Sequence, residues 1–305
     1  MIDIIIPAYN AHEYIERALN SIIIQTMIDK IHICIVDDNS DKTYDEIVNK
    51  YKKIVNIKLI RNNENKGPGI SRTIGIKNTN SKYIVFIDAD DQLYNSYSIQ
   101  KLYKCIDKGK YDEVYSKFIV EKEDKDMSQT FTSVWLHGKI YKRSFIEKNN
   151  ICFNNYYYNE DLGFNKLIEL LTDNIFYLNE TTYIWRYVKG SLTRKDNSLF
   201  EGVKGYIDNV IWAINEAEKR NVSSKRICKL ILEVLVDNFA AYTVMSNDKI
   251  KNEIKKQIVL INNIYNNRYV KNDINLDEII NKEKEIYDNN ELINKDNFEK
   301  FLNEL

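Results

Sequence analysis

Proline is almost absent from this chain, two residues in 305, and both (Pro7 and Pro68) lie in its first quarter. Glycine is scarce too, nine residues with none after Gly205, so beyond about Tyr206 the chain lacks the residues that make tight turns. The four cysteines (Cys34, Cys105, Cys152, Cys228) form no CxxC pair and no metal-finger spacing. Buried thiols in a reducing, cytoplasmic setting are expected rather than a disulfide framework or a zinc finger. No long apolar run exists: the most apolar stretch, 227–244, is broken by Lys229, Glu233, Asp237 and Asn238, which excludes a membrane span there. Asp3 and Pro7 interrupt Ile4-Ile5-Ile6, so no signal peptide is expected. Charge of one sign is lacking as well. Lys+Arg 44 against Asp+Glu 45 leaves −1, and no overall field draws the chain to nucleic acid or an anionic membrane. Neither GxxxxGK[ST] nor GxGxxG is present, which removes the two familiar glycine-rich phosphate loops.

What is present divides in two. In the first 120 residues, short apolar runs at 2–6, 31–36, 57–60 and 83–87 alternate with amphipathic helical stretches at 12–25 and 44–51. Strands apolar on both faces and separated by helices predict a mostly parallel α/β sheet with helices flanking it. From about Tyr206 the apolar residues fall at helical spacing (Ile207, Val210, Ile211, Ile214, then Ile227, Leu230, Ile231, Val234), which predicts a helical C-terminal region. The expected division is 1–200 and 201–305.

The polar residues fall at the strand ends. Pro7-Ala8-Tyr9-Asn10, Asp37-Asp38-Asn39-Ser40 and Asp88-Ala89-Asp90-Asp91 each follow an apolar run. Ligands of open parallel sheets bind outside those carboxyl ends, so the three clusters should share one crevice holding five aspartates. One such aspartate reads equally well as a turn or helix cap; three clusters together call for a cation. Oxygen donors suit Mg²⁺ or Mn²⁺, and a metal would let an acidic crevice accept a diphosphate. In the loop 62–72, glycines permit close backbone approach, and Arg72 is placed either to contact a phosphate or as a surface residue. Glu160-Asp161 precedes another helical run, where Asp161 reads as a cap or as a general base. His137 is a lone histidine, for which a structural role is expected, with a direct donor or acceptor contact as the alternative. Trp135 and Trp185 suit stacking on a sugar or core packing.

Taken together, Ile4-Ile5-Ile6-Pro7-Ala8-Tyr9-Asn10, Ile35-Val36-Asp37-Asp38-Asn39-Ser40, Asn65-Lys66-Gly67 with Ser71-Arg72, and Phe86-Ile87-Asp88-Ala89-Asp90-Asp91 resemble the family-2 glycosyltransferases of the GT-A type. Glu160-Asp161 looks like that family's late carboxylate motif, and residues 135–143 are similar to its acceptor-side stretch. The resemblance covers about residues 1–195. It implies that Pro7, Ala8 and Tyr9 line a nucleobase pocket and that Asp38 bonds the uracil edge. Asp88 would lie by the ribose, with Ala89 beside it, and Asp90 of the DxD motif would hold Mn²⁺ or Mg²⁺ on the diphosphate. Asp161 would deprotonate the acceptor in an inverting transfer from a UDP-sugar. Residues 185–194 resemble a late family segment, although no histidine follows to add a metal ligand; Arg186, Lys189 or Arg194 would reach the diphosphate instead.

The expected partners are a nucleotide-sugar donor and a saccharide or glycoconjugate acceptor, as in bacterial surface polysaccharide synthesis. Nucleic acid is not expected. Peripheral membrane association stays open, as does the choice between monomer and homodimer. A non-catalytic subunit of a glycosyltransferase complex is the alternative, against which intact Asp38, Asp90 and Asp161 argue. A phosphatase-type DxD would stand on the first strand, whereas this one lies at 88–90.

Overall fold

The computed structural model describes residues 1–191, 198–269, 274–287 and 289–305. The chain forms two compact units, Met1–Lys195 and Asp196–Leu305.

The first unit opens with β1 (Ile2–Ala8), α1 (Ile15–Ile23), β2 (Ile31–Asp37), α2 (Asp45–Tyr51), β3 (Asn56–Arg61), α3 (Pro68–Lys77) and β4 (Tyr83–Phe86). It continues through β5 (Gln92–Leu93), α4 (Ser98–Lys108), β6 (Glu113–Glu121), β7 (Met127–Thr130) and β8 (Lys139–Lys142). Then come α5 (Arg143–Lys148), α6 (Glu160–Leu171) and β9 (Ile175–Trp185). The strands make one sheet in the order β3-β2-β1-β4-β8-β6-β9-β5, with β7 on β6. Pairing is parallel from β3 to β4 and between β6 and β9, and antiparallel around β8. The chain leaves β1 toward β2 and later returns to pair β4 on the other side of β1. This reversal opens a crevice at the carboxyl ends of β1 and β4.

The expected patterns explain the elements. β1 and β2 are buried on both faces, as a central parallel strand requires. The stripe Ile15, Ala18, Leu19 and Ile22 of α1 is buried against the sheet. That helix starts at Ile15 rather than His12, because residues 12–14 form a turn closed by the Tyr14 N–H donating to the Ala11 carbonyl at 3.0 Å.

A buried cation ties the second half of the sheet to α6. Lys139 is fully buried; its Nζ donates to Glu113 Oε1 (2.6 Å), the Ser133 carbonyl (2.7 Å) and Asn165 Oδ1 (3.1 Å). Tyr141 also donates to Asn165 Oδ1, at 2.8 Å. Asn165 lies one turn beyond Asp161, on the same face of α6. Lys139→Met should lower the stability of the protein by about 3–5 kcal/mol, because it strands the buried Glu113 carboxylate. Denaturant titration measures this loss, and adding Glu113→Gln should recover most of it.

The second unit comprises α7 (Ser198–Lys219), α8 (Ser224–Val244), α9 (Asp248–Arg268), α10 (Leu276–Ile286) and α11 (Lys295–Asn303). Its first helix starts three residues before the expected boundary at 201. Ile207, Val210, Ile227, Ile231, Val234, Ile254 and Ile258 are buried, in line with the helical spacing of the sequence. Among the described residues no helix is long and apolar enough to cross a membrane.

Candidate active site

Four segments meet at the crevice: the ends of β1, β2 and β4, and the start of α6. Ala8 and Ala89 are buried in its floor, whereas Tyr9 is half-exposed at the end of β1, beside the partly buried Pro7.

The two aspartates ending β2 organise loops. Asp37 accepts the Ser40 N–H (2.9 Å) and pairs with Arg61. Asp38 accepts from Asn62 Nδ2 (2.7 Å), the Lys66 N–H (2.9 Å) and the Gly67 N–H (2.8 Å). A carboxylate offers about four lone-pair positions, so Asp38 keeps one for another donor.

Arg72 is not a surface residue, and both of its Nη atoms serve carboxylates. It is buried, and its two Nη atoms each donate at 2.6 Å, one to Asp88 Oδ1 and one to Glu160 Oε1. The guanidinium thus joins the end of β4 to the start of α6. Gly69 permits this, because a Cβ there would stand 2.9 Å from Glu160 Cγ and 3.0 Å from the Asn154 carbonyl. Burial alone would lower the Arg72 pKa, but Asp88 and Glu160 outweigh it and raise it. Burial likewise opposes ionisation of Asp88, yet Arg72 and His137 hold its carboxyl well below the usual range.

The remaining carboxyls are pushed up. Burial and then Asp88 raise Asp90 to about 6. Asp91, fully buried, rises well above the usual carboxylate range through burial and then Asp90. Its two oxygens accept the Tyr183 hydroxyl (2.6 Å) and the Arg186 N–H (2.8 Å). Arg17, from α1, donates to the Asp90 carbonyl.

Asn159 adopts a left-handed backbone (φ +59°), a conformation asparagine tolerates, and turns the chain into α6. Asp161 follows in the first helical turn, half-buried, with one oxygen accepting the Leu162 N–H at 2.8 Å. Its carboxyl is raised to about 7, first by burial and then by the Glu160 carboxylate. A carboxyl titrating there can take up a proton near neutral pH, the property a general base needs.

Arg186 spends its guanidinium on Gln92 and Glu121. Lys189 is exposed, and Arg194 lies outside the described residues.

Three contributors carry little signal in the sequence. Arg17 carries no motif, Tyr183 is one tyrosine among 22, and His137 stands alone in its segment. His137 nevertheless reaches the site: its Nε2 is 3.8 Å from Asp88 Oδ2 and 3.7 Å from Asp91 Oδ2. Among the described residues, Asp88, Asp91 and His137 form a group able to offer one ligand atom each to a metal, all within 4.8 Å of one another. Asp90 is outside that group.

Comparison with known proteins agrees with this arrangement. The family model described as "Glycosyl transferase family 2" matches residues 3–186. Glycosyltransferase GlyA of Streptococcus pneumoniae is 28% identical over 223 residues, 63% of this chain and 31% of that protein. The putative glycosyltransferase EpsH of Bacillus subtilis is 27% identical over 226 residues, so this chain spans 65% of its length. The poly(ribitol-phosphate) beta-N-acetylglucosaminyltransferase TarP of Staphylococcus aureus is 23% identical over 82% of this chain and 85% of its own. Among solved structures, S. aureus TarS 1–349 in complex with UDP-GlcNAc has a TM-score of 0.61 at 18% identity, covering 90% of this chain and 94% of that one. Mannosyltransferase PcManGT from Pyrobaculum calidifontis, with GDP-Man and Mn²⁺, has a TM-score of 0.58 at 14% identity, covering 87% of each chain. At these identities the likeness establishes the fold, that of the GT-A glycosyltransferases. With a family match across more than half its length, the chain belongs to glycosyl transferase family 2.

Proposed function

We propose that this chain is a metal-dependent, inverting glycosyltransferase that moves a hexosyl unit from a UDP-sugar to an acceptor hydroxyl. The observation that carries the reading is the meeting of Asp88, Glu160 and Asp161 around Arg72 at a sheet reversal. Pro7, Ala8 and Tyr9 border the nucleobase, and the remaining lone pair of Asp38 accepts the uracil imide N–H. Asp88, oriented by Arg72, faces the ribose. Asp90 contributes to holding a divalent ion, Mn²⁺ or Mg²⁺, which when bound offsets the charge of the leaving diphosphate. Five carboxyls (Asp88, Asp90, Asp91, Glu160 and Asp161) beside one buried guanidinium leave the crevice acidic, and such a donor set suits an oxygen-loving cation.

In the transfer, Asp161 takes the acceptor hydroxyl proton as that oxygen bonds the anomeric carbon. The bond from that carbon to the diphosphate oxygen breaks, its electron pair leaving with the nucleoside diphosphate. Glu160 is bound to Arg72 and positions the loop. Similarity to TarP and TarS favours a saccharide or glycoconjugate acceptor in cell-wall or surface polysaccharide synthesis, with the protein in the cytoplasm, soluble or peripheral to the membrane.

Thermal-shift measurements test the donor site, since a ligand bound only by the folded state raises the melting point. UDP should stabilise the protein far more with Mn²⁺ than with EDTA, and Asp90→Ala should erase that difference without unfolding the chain. Equal stabilisation under both conditions would refute the metal, and preference for GDP would refute the uracil assignment.

A further inference from the structure

The sequence holds no late histidine to complete the metal site, but the fold brings another one to the crevice. His137 is nine-tenths buried, and its two ring nitrogens face different surroundings. Nδ1 has no partner at all, and Nε2 looks toward Asp88 and Asp91 from 3.8 and 3.7 Å, too far for hydrogen bonds. A buried imidazole nitrogen that faces two carboxylates without bonding either is placed to share a cation with them.

The spacing fits such an ion. Ligands at about 2.1 Å from one cation lie roughly 3 Å apart when adjacent and roughly 4.2 Å apart when opposite. The two separations from Nε2 fall between these limits. The ring is also fixed in direction: it stacks on Tyr183 (centroids 4.8 Å, 19° between planes) and is flanked by Phe118, Trp135 and Trp185. Gly138, next in the chain, has φ +66°, and a Cβ there would stand 2.5 Å from Ser116 Oγ. Only glycine serves at that turn, which delivers His137 to the crevice as the chain enters β8. The carboxylates are held as well, Asp88 by Arg72 through its other oxygen and Asp91 by Tyr183 and Arg186. Outer partners of this kind orient metal ligands.

We propose that His137 Nε2 is a ligand of the divalent cation, together with Asp91 and with the Asp88 oxygen that Arg72 leaves free, so that Asp88 borders both the ribose and the ion and Asp90 supports the ion from outside this group. The inference rests on the proposed function only in assuming that the donor diphosphate is met by a cation. An imidazole ligand makes the site favour a transition ion over Mg²⁺, because nitrogen donors are poor partners for magnesium.

Mn²⁺ alone, without nucleotide, is the probe. Pulsed electron paramagnetic resonance of the Mn²⁺-loaded wild-type protein should show a directly coordinated imidazole nitrogen. His137→Ala, checked for folding by circular dichroism, should lose that coupling and bind Mn²⁺ about 10–100-fold more weakly, with a smaller change for Mg²⁺. His137→Gln, which keeps size and a polar end, should lose the coupling too. Bound Mn²⁺ with no nitrogen coupling in the wild type, or unchanged Mn²⁺ affinity in a folded His137→Ala protein, would overturn the assignment while leaving the proposed function standing. Sugar transfer that persists in EDTA would instead refute the cation itself, and this inference with it.

Discussion

Replacing Asp161 by Asn is expected to lower turnover about 10²–10⁴-fold while leaving donor binding intact, since size and shape are kept and only basicity is lost. The pH profile gives the sharper test. With its carboxyl raised to about 7 by burial and by Glu160, Asp161 is protonated, and useless as a base, through the mildly acidic range. A base acts only in its deprotonated form, so kcat/KM of the wild type should climb with pH through about 7 and level off above it. In Asp161→Asn the residual rate should lose that limb. Persistence of the limb in the Asn variant would place the base elsewhere, and Glu160 is the first group to examine. Glu160→Gln should do less damage than Asp161→Asn, because Glu160 is bonded to Arg72 and acts by position.

Arg72→Met should be the most destabilising single change in the site. It removes the counter-charge from buried Glu160 and from Asp88, whose side chain is one-third exposed. Removing one partner of a buried ion pair costs about 3–5 kcal/mol; for a unit of this size that is a melting-point drop of roughly 6–20 °C. Glu160 carries most of the loss, because water reaches Asp88 and screens it. Lysine should rescue poorly, since one ammonium cannot reproduce a planar fork that serves two carboxylates. The sign of the pH dependence follows. Without Arg72, burial raises Glu160 further, so the folded variant holds a proton that the unfolded chain has released. Its stability relative to wild type should therefore improve as pH falls from about 7 to about 5. A penalty that is constant with pH would mean that Glu160 finds another partner.

The legible part of this protein was local. Apolar runs followed by Asp37-Asp38 and Asp88-Ala89-Asp90-Asp91 announce strands whose carboxyl ends carry acid, and parallel pairing then obliges those ends to lie together. Residues 159–161 likewise announce a helix start bearing two carboxyls. Partners far apart in the chain were not legible. Arg72 looks like a surface or phosphate-binding residue until its bonds to Asp88, 16 positions on, and Glu160, 88 positions on, are seen. Nothing in the sequence marks Gln92 and Glu121 as the partners of the Arg186 guanidinium.

By itself, then, the sequence determined the first four strands, the helical C-terminal region, where acid gathers, and which family the chain resembles. All of these follow from residue periodicity and from chemistry within a few positions of each strand end. The tertiary structure alone decided that β8 enters the sheet beside β4 and that β6 and β9 follow it. An apolar run specifies that a strand exists but not which neighbour completes its hydrogen bonds. That order carries His137 to Asp88 and Asp91, sets Tyr183 against Asp91, and brings the start of α6 within reach of Arg72.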